Sequence, residues 1–205
     1  AYEIGSCLVG SEMCIRDRGS GTVFSLHYGA GNHVALRRSI FSSFVLIGIV
    51  TLILNVAVFI WLDPILRLLQ VPQDIYGMMR SYSWIIFCGI VFTFIYNFYA
   101  SLLRAVGDSV TPLWFLAVSV VLNIALDLFF ILQLDWGIQG AAAATVLAQG
   151  VAALGIIIYT YRRRPELRWH HEDMCFDRTC LKEIASFSTL TCVQPVSYTH
   201  LRAHE

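Results

Sequence analysis

Three stretches of this sequence run for more than twenty residues without a charged side chain, and a fourth does so with one. They are Ser39 to Leu62, Ser81 to Leu103, Ser109 to Leu134 and Trp136 to Tyr161, and the single charge is Asp127. A bilayer's hydrocarbon core is about 30 Å thick and needs about 20 apolar residues in a helix to cross it. The runs do not alternate and are too long for barrel strands. In lipid every backbone polar group must be satisfied internally, which leaves helices. The expected fold is therefore an all-α integral membrane protein, a polytopic helical bundle with the lipid bilayer as its solvent. Composition agrees: 57% of the residues are hydrophobic and 14% charged, against about 25% charged in soluble domains. The formal net charge is zero, so no nucleic-acid partner is expected.

The connections between the runs carry charge unequally. Arg37 and Arg38 precede the first run, Arg104 follows the second, and Arg162, Arg163, Arg164 and Arg168 follow the fourth. All of these fall on one side; the other side has only Arg67 and Arg80. An excess of Lys and Arg marks the cytoplasmic side, which assigns loops 33–38, 104–108 and 162–183 to the cytoplasm. The connection near Asp135 is so short that the third and fourth spans must be antiparallel neighbours. Asp63 to Arg80 is longer, and its Ile65, Leu66, Leu68, Leu69 and Val71 before Pro72 suggest a short interfacial helix. Gly21 to Ala30 reads as the tail of a helix, stopped by Gly29-Ala-Gly-Asn32. Residues 1–18 lack any helical or strand period, and residues 196–205 cut off an apolar pattern without a cap. Both strings resemble translated sequencing-adapter segments and are expected to be foreign to the native protein.

Asp127 is the residue that most demands an explanation. A carboxylate inside a span costs roughly 2.5–3.5 kcal/mol on insertion scales. Ser119, Asn123 and Asp127 stand at i, i+4 and i+8, on one face of a helix. That face should turn toward the bundle or a water-filled cavity. Desolvation favours the neutral acid and a bound cation favours the carboxylate, so one group could exchange a proton for a cation. The competing reading is that Asp127 snorkels toward the interface near Asp135. In the fourth span Gly140, Ala144 and Ala148 recur every fourth residue, a stripe that permits close helix approach, and Thr145 and Gln149 add polar groups. Thr145 alone reads as an intrahelical bond to the preceding turn. Ser119 and Gln149 are candidate cavity-lining residues. Arg104-Ala-Val-Gly-Asp-Ser-Val-Thr-Pro112 reads as a turn in which Gly107 takes a positive φ, Asp108 or Ser109 caps the next helix, and Pro112 sits in its first turn. Tyr96, Tyr99, Trp114 and Phe115 remain open between cavity and lipid. Six cysteines are present. Cys175 and Cys180 near His170 and His171 fit no zinc spacing, so no metal site is expected.

Taken together these motifs resemble the multidrug and toxic compound extrusion (MATE) transporters. Gly29-Ala-Gly-Asn32 looks like the end of that family's second helix. The turn Arg104 to Pro112 is similar to its Arg-Gly-x-Gly-Asp-(Thr/Ser)-x-Thr-Pro turn. Asn123-Ile-Ala-Leu-Asp127 and Trp136-Gly-Ile-Gln-Gly-Ala-Ala-Ala-Ala-Thr145 look like its fifth and sixth helices. Lys182 to Leu190 resembles the start of the seventh, although Ser188 and Thr189 stand where the family usually has Gly and Pro. The resemblance implies a twelve-helix fold of two six-helix lobes, of which this chain would hold residues 19–161 of the amino-terminal lobe, an inter-lobe linker at 162–180 and the start of helix seven at 181–195. It implies a multi-pass protein of the bacterial plasma (inner) membrane. It implies a Na⁺- or H⁺-coupled antiporter that exports drugs or organic cations by alternating access, with no cofactor beyond the coupling ion. Asn123, Asp127 and Thr145 match the family's cation- or proton-binding positions; the partnering first-helix carboxylate and the second lobe would lie outside this chain.

Two other classes compete. Exporters of lipid-linked sugars or polysaccharides in the same superfamily usually line their cavity with basic residues, and these spans contain none, which favours a cationic or neutral small-molecule substrate. A membrane-embedded enzyme would need a nucleophile with a base, or a metal cluster, inside the spans. Only Asp127 and the Cys88 thiol are ionisable there, so an enzyme is not expected.

Overall fold

The structure, a computed structural model, describes residues 20–68, 70 and 72–167. The expectations for residues 1–18, for the linker beyond Leu167 with Cys175 and Cys180, and for the start of a helix at 181–195 lie outside the described residues. Among the described residues there is no strand. Five α-helices follow one another: α1, Ser20–Gly29; α2, His33–Leu68; α3, Gln73–Ala105; α4, Val110–Leu132; and α5, Gly137–Arg163. A 3₁₀ turn at Pro165–Leu167 comes after them. Helices α2 to α5 are each long and apolar enough to cross a membrane, so the four expected spans are present.

The connections are set by local chemistry. Gly31 takes φ +68°, and the Asn32 side chain caps α2 by accepting a hydrogen bond from the Ala35 amide at 3.1 Å. Gly107 takes φ +88°, as its place in the turn requires. Ser109 occupies the N-cap position of α4 without a side-chain cap bond, and buried Pro112 stands in the first turn.

One expectation is corrected. The segment after Asp63 is not a separate interfacial helix; α2 continues unbroken to Leu68 with Pro64 inside it. Proline removes one ladder donor, but Leu62 and Leu66, one turn apart on either side of it, are both buried and hold the helix together. At about 1.5 Å per residue, α2 is about 54 Å long, and so projects beyond a hydrocarbon core of about 30 Å. The chain then turns at Gln70, which adopts φ +52°. Across this hairpin Asp63 accepts hydrogen bonds from the Tyr76 hydroxyl at 3.0 Å and from Arg80 Nη2 at 3.4 Å, within an ion pair whose Nε–Oδ1 distance is 3.0 Å. Such an exposed pair contributes at most about 1 kcal/mol.

The helices form two compact units. The first comprises, among the described residues, 20–47, 101–108 and 160–167. Its core joins Phe24, Leu36, Ile40, Leu102 and Leu103 with buried Ser20, Ser39, Ser42, Ser43, Ser101 and Thr160. The second comprises residues 48–100 and 109–159. Within it the order of contacts fixes the directions. From α2 to α3, Gly48 meets Phe94, Asn55 Nδ2 donates to the Phe87 carbonyl at 2.9 Å, and Phe59 meets Trp84 with the rings tilted by 56°: one position rises as the other falls, so the helices are antiparallel. From α3 to α5, Gly89 meets Val146 and Phe92 meets Gly150, a parallel pair. From α4 to α5, Phe115 meets Gly155 and Phe130 meets Gly140, antiparallel as the short connection demands. A Cβ added to Gly89 would stand 2.4 Å from Val146, and one on Gly155 2.7 Å from Phe115, so side-chain absence is what lets these helices close.

Candidate functional site

Between those glycine contacts, α3, α4 and α5 of the second unit stand apart around a cavity of about 270 Å³. From α4 it is lined by Leu116, Ser119, Val120 and Asn123; from α5 by Thr145, Ala148, Gln149 and Ala152; and from α3 by Thr93, Tyr96 and Asn97. The helical period explains the set. Ser119 and Asn123, and likewise Thr93 and Asn97, are four residues apart and share a face. Thr145, Ala148, Gln149 and Ala152 follow the three- and four-residue steps of one face of α5. No lining residue carries a formal charge at neutral pH.

The polar side chains are joined across helices. Asn123 Nδ2 donates to Thr145 Oγ1 at 3.2 Å, and Thr145 donates in turn to the Ala141 carbonyl at 3.0 Å. Thr145 therefore makes the bond to its own preceding turn and also receives the α4 amide. The Thr93 hydroxyl donates to Gln149 Oε1, tying α3 to α5. Asn97 Nδ2 donates to the Thr93 carbonyl at 2.8 Å, and the Tyr96 hydroxyl donates to the Pro112 carbonyl at 2.8 Å.

Asp127 lies one turn beyond Asn123 on the same face, about 26 Å along α4 from Val110. It is partly buried. Its Oδ1 is fully covered and has no hydrogen-bond partner. Such an atom is uncommon, because leaving a buried acceptor unpaired costs free energy comparable to a lost hydrogen bond. Among the described residues no group of His, Cys, Asp or Glu is arranged to hold a metal ion.

Sequence reasoning named Asp127, Asn123, Thr145, Ser119 and Gln149. The structure brings Asn123 and Thr145 into contact and lines the cavity with Ser119 and Gln149; Asp127 is not among the lining residues and stands one helical turn from Asn123. Thr93 and Asn97 were missed, although their four-residue spacing in an otherwise apolar run is the same signal that drew attention to Ser119 and Asn123. Tyr96, left open between lipid and cavity, lines the cavity. Cys88 is exposed on α3.

Fold and site together define a helical membrane bundle with a neutral polar cavity and, one helical turn from its lining residue Asn123, the half-buried carboxylate of Asp127. The MatE family model matches residues 17–129, and the chain belongs to the MATE family. It is similar to the probable multidrug resistance protein YpnP of Bacillus subtilis, with 44% identity over half of this chain and 23% of that protein. It is similar also to the probable multidrug resistance protein YoeA of the same organism, with 32% identity over 74% of this chain and 34% of that protein. The multidrug export protein MepA of Staphylococcus saprophyticus is 31% identical over 71% of this chain and 32% of its own length. Among solved structures, an inward-facing multidrug resistance MATE transporter superposes with a TM-score of 0.80 at 21% identity, over 89% of this chain and 42% of that one. A MOP-superfamily transporter from Pyrococcus furiosus, described as having a binding pocket of reversed polarity, gives 0.75 at 22% identity over 96% and 43%. This chain thus spans about a third or less of those curated relatives and less than half of those structures. Of these relatives, MepA is a multidrug export protein and the inward-facing structure is a multidrug resistance transporter.

Proposed function

We propose that this chain is the cation-coupling portion of a MATE-type exporter, exchanging Na⁺ or H⁺ for a small organic substrate by alternating access. The observation that carries the reading is the buried, unpartnered Oδ1 of Asp127, one turn from the Asn123–Thr145 hydrogen bond. A carboxylate at this depth is retained at a cost of roughly 2.5–3.5 kcal/mol, and a bound proton or cation supplies what Oδ1 lacks. Asn123 and Thr145 orient the remaining oxygens: Thr145 donates to Ala141, so its oxygen accepts from Asn123 and keeps the amide turned. The cation is cargo here, held on one side of the membrane and released on the other. A second lobe, in the length of the relatives that this chain does not span, would complete the cycle.

The ends carrying Arg37, Arg38, Arg104 and Arg162–Arg164 face the cytoplasm in this reading, and the protein resides in the bacterial inner membrane. A neutral or cationic substrate fits a cavity without basic lining. The alternative is export of lipid-linked sugars or polysaccharides, since a shared fold does not fix the substrate. Reconstituting the full-length transporter and measuring both activities tests the proposal. Gradient-driven efflux of an organic cation, with no flipping of a lipid-linked sugar, is the expected result; sugar flipping without efflux would overturn it.

A further inference from the structure

Charge is divided unevenly between the two compact units. Among the described residues, the unit formed by residues 20–47, 101–108 and 160–167 carries Arg37, Arg38, Arg104, Arg162, Arg163 and Arg164 against Asp108 and Glu166, six arginines to two acids. The other unit carries Arg67 and Arg80 against four aspartates. The sidedness of Lys and Arg in membrane proteins accounts for arginines collecting at one end. It does not account for Arg38. Arg37 Nε donates to the His33 carbonyl at 3.3 Å, and Arg164 is paired with Glu166 at 3.6 Å. Arg38 Nε is fully covered and has no hydrogen-bond partner. A covered donor left unpaired costs more when its group is charged, and its strongest partner is an anionic oxygen.

The helical period places Arg38 at an edge of α2. Leu36, Ile40 and Ile47 point away from it and are buried in the core. On one flank of Arg38, one turn on, Ser42 is buried. On the other flank Val34 is 46% exposed, and Phe41 and Val45 are half-buried. These residues stand three, four or seven positions from Arg38 and so share its side of the helix. The guanidinium, itself half-buried, therefore has cover on one flank and an open apolar strip on the other. An arginine at the end of a span can lay its stem along such a strip while its head stays at the membrane surface. The place thus offers a fork of N–H donors for an oxyanion and an apolar surface continuing from it. A free phosphate ion would satisfy the first alone; a phospholipid satisfies both.

We propose that Arg38 binds the phosphate group of an anionic phospholipid, whose acyl chain lies along the Val34, Phe41 and Val45 side of α2. Arg38 supplies the specific contact, because its planar fork matches phosphate oxygens. The excess of arginines around it selects headgroups with net negative charge, as basic clusters at the membrane surface do. The inference needs only that this end of the bundle lies at a membrane surface, and it is independent of the role given to Asp127.

The test uses the full-length transporter, delipidated in detergent and titrated with phosphatidylglycerol or phosphatidylcholine, with native mass spectrometry reading the first lipid bound. Wild type should bind phosphatidylglycerol about tenfold or more tightly than phosphatidylcholine. Arg38→Gln should weaken phosphatidylglycerol binding about tenfold. Arg38→Lys keeps the charge but loses the planar fork, and should weaken it about threefold or more; this variant carries the test if Arg38→Gln folds poorly. Arg163→Gln, which removes an exposed arginine from the last turn of α5, should stay within about twofold of wild type. Equal losses in Arg163→Gln and Arg38→Gln would show a diffuse attraction to the basic end and overturn the site. So would wild-type affinity in Arg38→Lys, or equal binding of the two lipids by wild type. Inorganic phosphate at the lipid's concentration should leave phosphatidylglycerol in place; its displacement would make the ligand a free oxyanion and overturn the lipid assignment.

Discussion

Two regions of this bundle carry polar side chains, and they use them in opposite ways. In the unit formed by residues 20–47, 101–108 and 160–167, the polar groups are the hydroxyls of Ser20, Ser39, Ser42, Ser43, Ser101 and Thr160, each at most 5% exposed. Ser42 and Ser43 leave their hydroxyl oxygens without a partner. In the unit formed by residues 48–100 and 109–159, three of the six polar groups are the longer amides Asn97, Asn123 and Gln149, and with Thr93, Ser119 and Thr145 they surround open space. Small residues let helix backbones approach closely in lipid, which accounts for the serines as packing. Amides and hydroxyls that line a cavity, with a carboxylate one turn away, leave open space that the serines do not. Counting polar residues would not separate the regions; their reach, and the space before them, does.

That contrast can be broken in a definite order. Ser42→Leu in the close-packed unit should reduce the folded yield most, since overpacking a full core position costs about 1–3 kcal/mol. Size-exclusion recovery in detergent reads the loss. Thr145→Val keeps the side-chain shape but removes the acceptor for Asn123. It should weaken cation binding about tenfold, or about 1.4 kcal/mol, with near-normal folding. Ser42→Ala should change thermal stability by less than about 1 kcal/mol, because an unpartnered hydroxyl is replaced by an apolar group of similar size. A large loss there would show that this serine has a polar role and would erase the distinction between the regions. Asn55→Leu, which removes the bond to the Phe87 carbonyl, should lower stability by about 0.6 kcal/mol, with efflux unaltered.

Much of this was legible in the sequence, for reasons that differ from element to element. The four spans announce themselves because charge is excluded from lipid and the charge-free runs have the length of the bilayer. Ser119, Asn123 and Asp127 share a face by helical arithmetic alone, and the short link at Asp135 makes α4 and α5 antiparallel. The end of α2 was misread because the charge of Asp63 closes the charge-free run, so the apolar residues after it looked like a separate helix, whereas α2 continues to Leu68 with Leu62 and Leu66 both buried. The Thr93–Gln149 bond was out of reach for another cause: α3 and α5 are parallel and separated in sequence by α4, and no local period reports that pairing. Tyr96 could not be sorted between lipid and cavity until the position of Pro112, its hydrogen-bond acceptor, was known.

The central claim is that Asp127 carries the coupling cation, and gradient-driven efflux tests it most directly. Full-length wild-type and Asp127→Asn transporters in liposomes, each under an imposed Na⁺ gradient and an imposed proton gradient, should differ sharply. Wild type should accelerate efflux under one or both gradients, and Asp127→Asn should respond to neither while retaining its folded yield. Efflux by Asp127→Asn that still follows the gradient as wild type does would contradict the account.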